Sequence, residues 1–190
     1  MESFTFQNIT KVYFGKDSVS GLSDELALYG KNVMLAYGGG SIKKNGIYNE
    51  ITDILEKNHK NIIEFPEIMA NPTYAKVLEG AKIARNQSVD LILAVGGGSV
   101  MDCCKAISLA AKYPGDIWND YWAVPGNIEV EPVPLGVVVT VSGTGSECNG
   151  GAVITNEQTK VKTGRDYPKL NPKFAILNPE YTYSVPEKQM

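Results

Sequence analysis

The chain has 190 residues, of which 43% are hydrophobic and 21% charged, and a formal net charge of −3. That length suits one domain burying roughly 70% of its unfolded surface, and the composition is that of a globular protein. Lysine and arginine are scattered without a basic stripe, which speaks against nucleic acid, and no apolar run nears the ~18 residues of a membrane span.

Apolar runs suited to strands alternate along the chain with helical patterns, the mark of a βαβ sheet. Phe4 and Phe6, then Val12 and Phe14, suggest short strands in an amino-terminal hairpin or edge. Residues 18–29 read as a helix, with Val19, Leu22, Leu26 and Tyr29 on one face. Residues 33–37 form a buried strand followed at once by Gly38-Gly39-Gly40-Ser41. A helix over 45–58 buries Ile47, Ile51, Ile54 and Leu55. A strand over 61–65 ends at Pro66, and the helix over 73–87 is expected to bury Val77, Leu78, Ala81 and Ile83. Residues 90–95 are the strongest strand pattern, leading into Gly96-Gly97-Gly98-Ser99 and a helix from Ser99 to about Lys112. Residues 118–133 are aromatic, then proline-rich, and read as irregular. A strand over 135–140 delivers the polar loop 142–149; residues 152–162 read as a β-hairpin, and 174–177 as a last core strand. The helix signalled by Ser184-Val185-Pro186 cannot be completed in the four residues after it, so the chain is expected to stop in mid-architecture.

Three cysteines and one histidine restrict the chemistry. Adjacent Cys103 and Cys104 point about 100° apart on a helix and cannot share a metal; they read as packing residues, and the odd cysteine count fits a reducing, cytoplasmic compartment. His59 sits in a polar run at a helix end with no second ligand spaced to join it. The sequence carries no recognisable metal site and no assigned catalytic side chain.

A strand, glycines and a helix in succession expose backbone N–H groups at a helix amino terminus, where they and the helix dipole suit a phosphate. The Gly96 loop fits best, with Ser99 read as N-cap and Asp102 as its capping partner three residues on. Neither loop satisfies G-x-G-x-x-G, because Lys43 and Met101 stand at the third glycine position. In a parallel sheet both strand ends lie on one edge, so one dinucleotide could touch both loops. The end of the earlier strand offers Gly39, Gly40 and Ser41, then Lys43 and Lys44, and no acid until Glu50. NAD sites place a carboxylate near the adenosine ribose; this set instead suits the 2′-phosphate of NADP(H). Hydroxyl and amide groups in the loop 142–149 could hydrogen-bond a nicotinamide or a ribose.

Together, Tyr37–Gly46, Gly96–Asp102 with Lys105 and Ala106, Thr144–Asn149 and Asn171–Pro179 resemble the amino-terminal domain of the iron-containing (group III) alcohol dehydrogenases, on the side of the NADPH-dependent butanol dehydrogenases. The resemblance implies an α/β fold with a Rossmann-like parallel sheet, flanking helices and a β-hairpin. It makes residues 1–190 one NAD(P)-binding domain and places Gly97, Gly98 and Ser99 at the pyrophosphate. It also places Gly39, Gly40 and Ser41 at the adenosine end, Asp102, Thr140, Thr144 and Asn149 on the nicotinamide side, and Lys162 (with Lys160 an equal alignment) and Tyr181 over the ribose. Ser142 stands where the family commonly has proline. The family's divalent metal, iron or zinc, is held by one Asp and three His from a helical carboxy-terminal domain beyond the position of Met190. The implied function is therefore the NADP(H)-binding part of a dehydrogenase interconverting small alcohols and aldehydes, inactive alone and open to homodimer formation through an exposed interdomain face. A stand-alone nucleotide-binding module and a glycerol dehydrogenase-like relative are the alternatives.

Overall fold

A computed structural model describes residues 3, 7–183 and 185. The described residues form eight strands: β1 (Lys11–Phe14), β2 (Asn32–Tyr37), β3 (Asn61–Phe65), β4 (Leu91–Gly96), β5 (Leu135–Val139), β6 (Gly151–Asn156), β7 (Val161–Asp166) and β8 (Phe174–Leu177). Six pair in the order β1-β8-β5-β4-β2-β3, every pair parallel, and β6 and β7 form a separate antiparallel hairpin. The helices are α1 (Gly21–Leu26), α2 (Ser41–Lys44), α3 (Ile47–Lys57), α4 (Tyr74–Asn86) and α5 (Gly98–Ala110).

The central strands read as unbroken apolar runs because both faces of the sheet are covered. Met34, Ala36, Ile92, Ala94, Val137 and Val139 point to one core, shared with α4 and α5; Val33, Leu35, Leu91, Leu93, Val95 and Val138 point to the other, shared with α1 and α3. Helix α4 starts where Thr73 accepts a hydrogen bond from Lys76 N at 3.2 Å, an N-cap contact. The aromatic segment Trp118–Ala123 forms a π-helical turn that buries Trp118, Tyr121 and Trp122. It also holds the hairpin: Trp122 Nε1 donates to Ala152 O at 3.2 Å, and the Tyr167 hydroxyl donates to Tyr121 O at 2.6 Å.

Several expectations are corrected. Of the hairpin or edge expected near the amino terminus, β1 takes the edge, pairing with β8 in parallel; Phe4, Phe6, Ser184 and 186–190 lie outside the described residues. The helix expected over 18–29 is a 3-10 turn followed by the shorter α1. The helix expected over 45–58 is present as α3, and the short α2 lies ahead of it, the two separated by Gly46, whose φ of 84° a helix cannot contain. Leu78 is on the solvent side of α4, not in its core. The stretch 118–133 is helical in its first turn and irregular only afterwards.

Candidate cofactor-binding site

The chain leaves β2 for β3 on one side and leaves β4 for β5 on the other, so strand order reverses between the neighbours β2 and β4. Open parallel sheets bind ligands outside the carboxyl ends of strands at such a point. The two Gly-Gly-Gly-Ser loops follow these two strands.

The loops use their glycines differently. Helix α5 begins with Gly97 as its N-cap and no side chain caps it; the N–H groups of Gly98 and Ser99, in its first turn, have no intrahelical acceptor. Ser99 is therefore the second helical residue rather than the cap, and Asp102 is not a capping partner. A Cβ on Gly98 would stand 2.6 Å from Thr144 Cγ2 and 2.8 Å from Thr144 Oγ1, and one on Gly97 would stand 3.1 Å from Val141 Cβ. Close packing by the loop after β5 thus already requires glycine at position 98. At Gly39 nothing lies within 4 Å of a Cβ and φ is not positive, so no neighbouring protein atom requires glycine there. Gly40 takes φ 92° ahead of α2, and Ser41 is exposed.

Near that loop the structure adds a carboxylate hidden by sequence distance. Glu64 of β3 lies beside Lys43, Nζ to Oε2 3.7 Å, and accepts hydrogen bonds from the hydroxyls of Tyr37 (2.6 Å) and Tyr48. Lys43 Nζ stands 4.5 Å from the centre of the Tyr48 ring and 5.2 Å from that of Tyr37, a cation–π arrangement. Burial pushes the Glu64 carboxyl up, but the bonds from Tyr37, Tyr48 and Lys43 outweigh it and hold it below its ordinary value.

On the other side of the switch point, α5, the 142–149 loop and the hairpin meet in one polar network. Asp102 accepts from Ser146 Oγ at 2.8 Å and from Val153 N at 3.0 Å. Asn149 accepts from Gly151 N at 2.8 Å and donates to Gly145 O at 2.8 Å. Thr144, exposed over the start of α5, accepts from Ser146 N at 3.2 Å, and Thr140 is buried at the end of β5. Asp102, Thr144, Ser146, Asn149, Arg165 and Asp166 are among the residues lining a 350 Å³ cleft. At the centre is Lys105, a lysine with 0% exposure, donating to Ser146 Oγ (2.7 Å), Gly151 O (2.8 Å) and Asn149 Oδ1 (3.2 Å). Burial lowers its pKa to about 8 against the pull of Asp102, Asp166 and Glu147. A charged residue inside the apolar run Cys103–Ala110 was the sequence signal for it.

The remaining two residues lie apart. Lys162 on β7 donates to Asn71 in the loop after β3, whereas Lys160 sits in the hairpin turn with φ 57°. Tyr181, buried after β8, donates to Glu50 of α3 at 2.6 Å, and burial together with that bond raises its pKa. Glu50, Asn71, Glu64, Lys105 and Ser146 were not among the residues singled out from sequence as site residues.

Cys103 and Cys104 are buried, burial pushing the first thiol to about 12 and the second well up. Among the described residues no group of three or more His, Cys, Asp or Glu could hold a metal ion, and no helix is long and apolar enough to cross a membrane. A divalent metal does not fit the donors present.

Comparison with known proteins identifies the family and the fold. Residues 9–179 match the family described as iron-containing alcohol dehydrogenase. The probable NADH-dependent butanol dehydrogenase 1 of Bacillus subtilis (strain 168) is 45% identical over 187 residues, covering 98% of this chain and 48% of the relative. The NADPH-dependent aldehyde reductase YqhD of Escherichia coli (strain K12) is 38% identical over 193 residues, covering 100% of this chain and 49% of the relative. The crystal structure of NADH-dependent butanol dehydrogenase A from Thermotoga maritima superimposes with a TM-score of 0.93 at 41% identity, over 100% of this chain and 47% of that one. The chain thus spans about half the length of these relatives.

Proposed function

This chain belongs to the iron-containing alcohol dehydrogenase family, and from that premise we propose that residues 1–190 form the dinucleotide-binding part of an alcohol dehydrogenase that takes NADP(H). The observation that carries the proposal is the placement of two glycine loops on neighbouring strands at the switch point of the sheet, one ending in an uncapped helix amino terminus. Gly97, Gly98 and Ser99 would hold the pyrophosphate. Gly39, Gly40 and Ser41 would meet the adenosine end, where the space beside Gly39 admits a ligand against the backbone. Asp102, Thr140, Thr144 and Asn149 would form the nicotinamide side, with Lys162 and Tyr181 closing over the riboses.

The preference for the 2′-phosphate rests on two features. Strand β2 ends without a carboxylate of its own to accept from a ribose 2′-hydroxyl. Glu64, the carboxylate beside Lys43, is engaged by two tyrosines and that lysine. Relatives are named for either cofactor, so this part of the proposal is the more exposed to test. The bound nicotinamide would carry the hydride between a small primary alcohol and its aldehyde, of the butanol and butanal kind, in the whole enzyme.

Calorimetric titration of the chain with NADPH and NADH tests both parts. Binding of NADPH at least tenfold tighter than NADH is expected. Absence of binding by either would overturn the proposal, and tighter binding of NADH would overturn the 2′-phosphate assignment.

A further inference from the structure

The nicotinamide side of the cleft has no regular secondary structure of its own to hold it. Residues 140–150 contain one short 3-10 turn, Ser146–Cys148, and residues 141–145 are exposed. Yet Thr144 packs against the first turn of α5 closely enough to crowd any Cβ at Gly98, so the loop lies tight on the helix there. Two side chains of α5, one turn apart, reach across to it. Asp102 accepts from the Ser146 hydroxyl and the Val153 N–H, and Lys105 donates to the Ser146 hydroxyl oxygen, the Asn149 side-chain carbonyl and the Gly151 main-chain carbonyl.

We infer that Lys105 is a positioning residue for the cofactor: its buried ammonium fastens the 144–151 segment to α5 and so sets the wall against which the nicotinamide half of the dinucleotide lies. Three acceptors from three points of one loop converge on one cation, and without it two carbonyls and a hydroxyl would be left buried without that donor. The charges facing it are Asp102 on its own helix, Glu147 on the loop and Asp166 on β7, so the ammonium also offsets three carboxylates around the cleft. The hydrogen bonds of Lys105 go to Ser146, Asn149 and Gly151 and none to the Gly38–Ser41 loop, so its effect is confined to one half of the ligand.

This inference rests on the cofactor-binding proposal, and the test separates the two. NADPH and 2′,5′-ADP, which lacks the nicotinamide half, are titrated against the wild-type chain and Lys105→Met, whose side chain has similar length without the charge. Lys105→Met is expected to weaken NADPH at least about tenfold, the cost of losing a charged hydrogen-bond donor, and to leave 2′,5′-ADP within twofold. The enhanced fluorescence expected of bound NADPH should fall with it. A wild-type chain that binds neither ligand refutes the cofactor proposal itself. A wild-type chain that binds both, with Lys105→Met losing neither or losing both equally, refutes the positioning role. Should Lys105→Met fail to fold, Ser146→Ala removes one of the three acceptors and the link to Asp102. It is expected to show the same selective loss at two- to fivefold, and an equal loss of both ligands would overturn the inference.

Discussion

Gly98→Ala probes why the second glycine loop is built as it is. The added Cβ would meet Thr144 Cγ2 at 2.6 Å, Oγ1 at 2.8 Å and Cβ at 3.1 Å, against the 3.5–4.0 Å of an ordinary carbon contact. Threonine cannot simply rotate away, because its Oγ1 accepts from Ser146 N, and Ser146 is itself held by Lys105 and Asp102. Relief therefore requires the loop to move by about 1 Å, an overpacking cost of about 1–3 kcal/mol. At the ~2–4 °C per kcal/mol of a domain this size, Tm should fall by about 2–12 °C. Gly39→Ala is the matched control: no atom lies within 4 Å of its Cβ, so Tm should hold or rise slightly as the unfolded chain loses freedom, while NADPH affinity falls where the Cβ meets the ligand. Calorimetric melting with and without NADPH reads both effects. A Gly98→Ala chain as stable as wild type, or a Gly39→Ala chain that melts early or binds normally, would refute the division between a packing glycine and a ligand-facing one.

Gly39→Asp places a carboxylate at the end of β2 and should move the preference from NADPH toward NADH by at least tenfold in the ratio of dissociation constants; an unchanged ratio would remove the adenosine assignment. Burial lowers Lys105 to about 8 from 10.5. Between those values the unfolded chain holds a proton that the folded chain has shed, so this group's contribution to stability rises with pH there. Urea unfolding at pH 7.5 and 9.5 should show wild type gaining on Lys105→Met by on the order of 1–2 kcal/mol, and parallel pH dependences would contradict the burial argument. A thiol reagent at pH 8 should modify half-buried Cys148 well before Cys103 and Cys104, whose thiols burial holds protonated; equal rates would count against the packing of α5. Thr73→Ala should cost about 1 kcal/mol through the lost N-cap of α4, checked by denaturant titration.

What the sequence made legible was what neighbouring residues decide. The strands β2, β4, β5 and β8 follow from apolar runs because both faces of each are buried, and each glycine loop is announced by the strand before it. The parallel pairing of Lys11–Phe14 with Phe174–Leu177 joins segments some 160 residues apart, a distance over which no periodicity reports. Glu64 escaped for the same reason: it reaches Lys43 only because β3 lies beside β2. The capping pattern of Ser99 and Asp102 was present in the sequence, but Asp102 is engaged by Ser146 and Val153 and the cap falls two residues earlier, at Gly97. Leu78 fits the apolar stripe of α4 by spacing and still faces solvent, since the stripe's width is set by what packs on it.

The most direct test of one dinucleotide spanning both loops is the amide NMR spectrum of the chain during titration with NADPH. The resonances of Gly39, Gly40 and Ser41 and those of Gly97, Gly98 and Ser99 should shift together, with a single dissociation constant fitting both sets. Shifts confined to one loop, or two sets with different affinities, would contradict it.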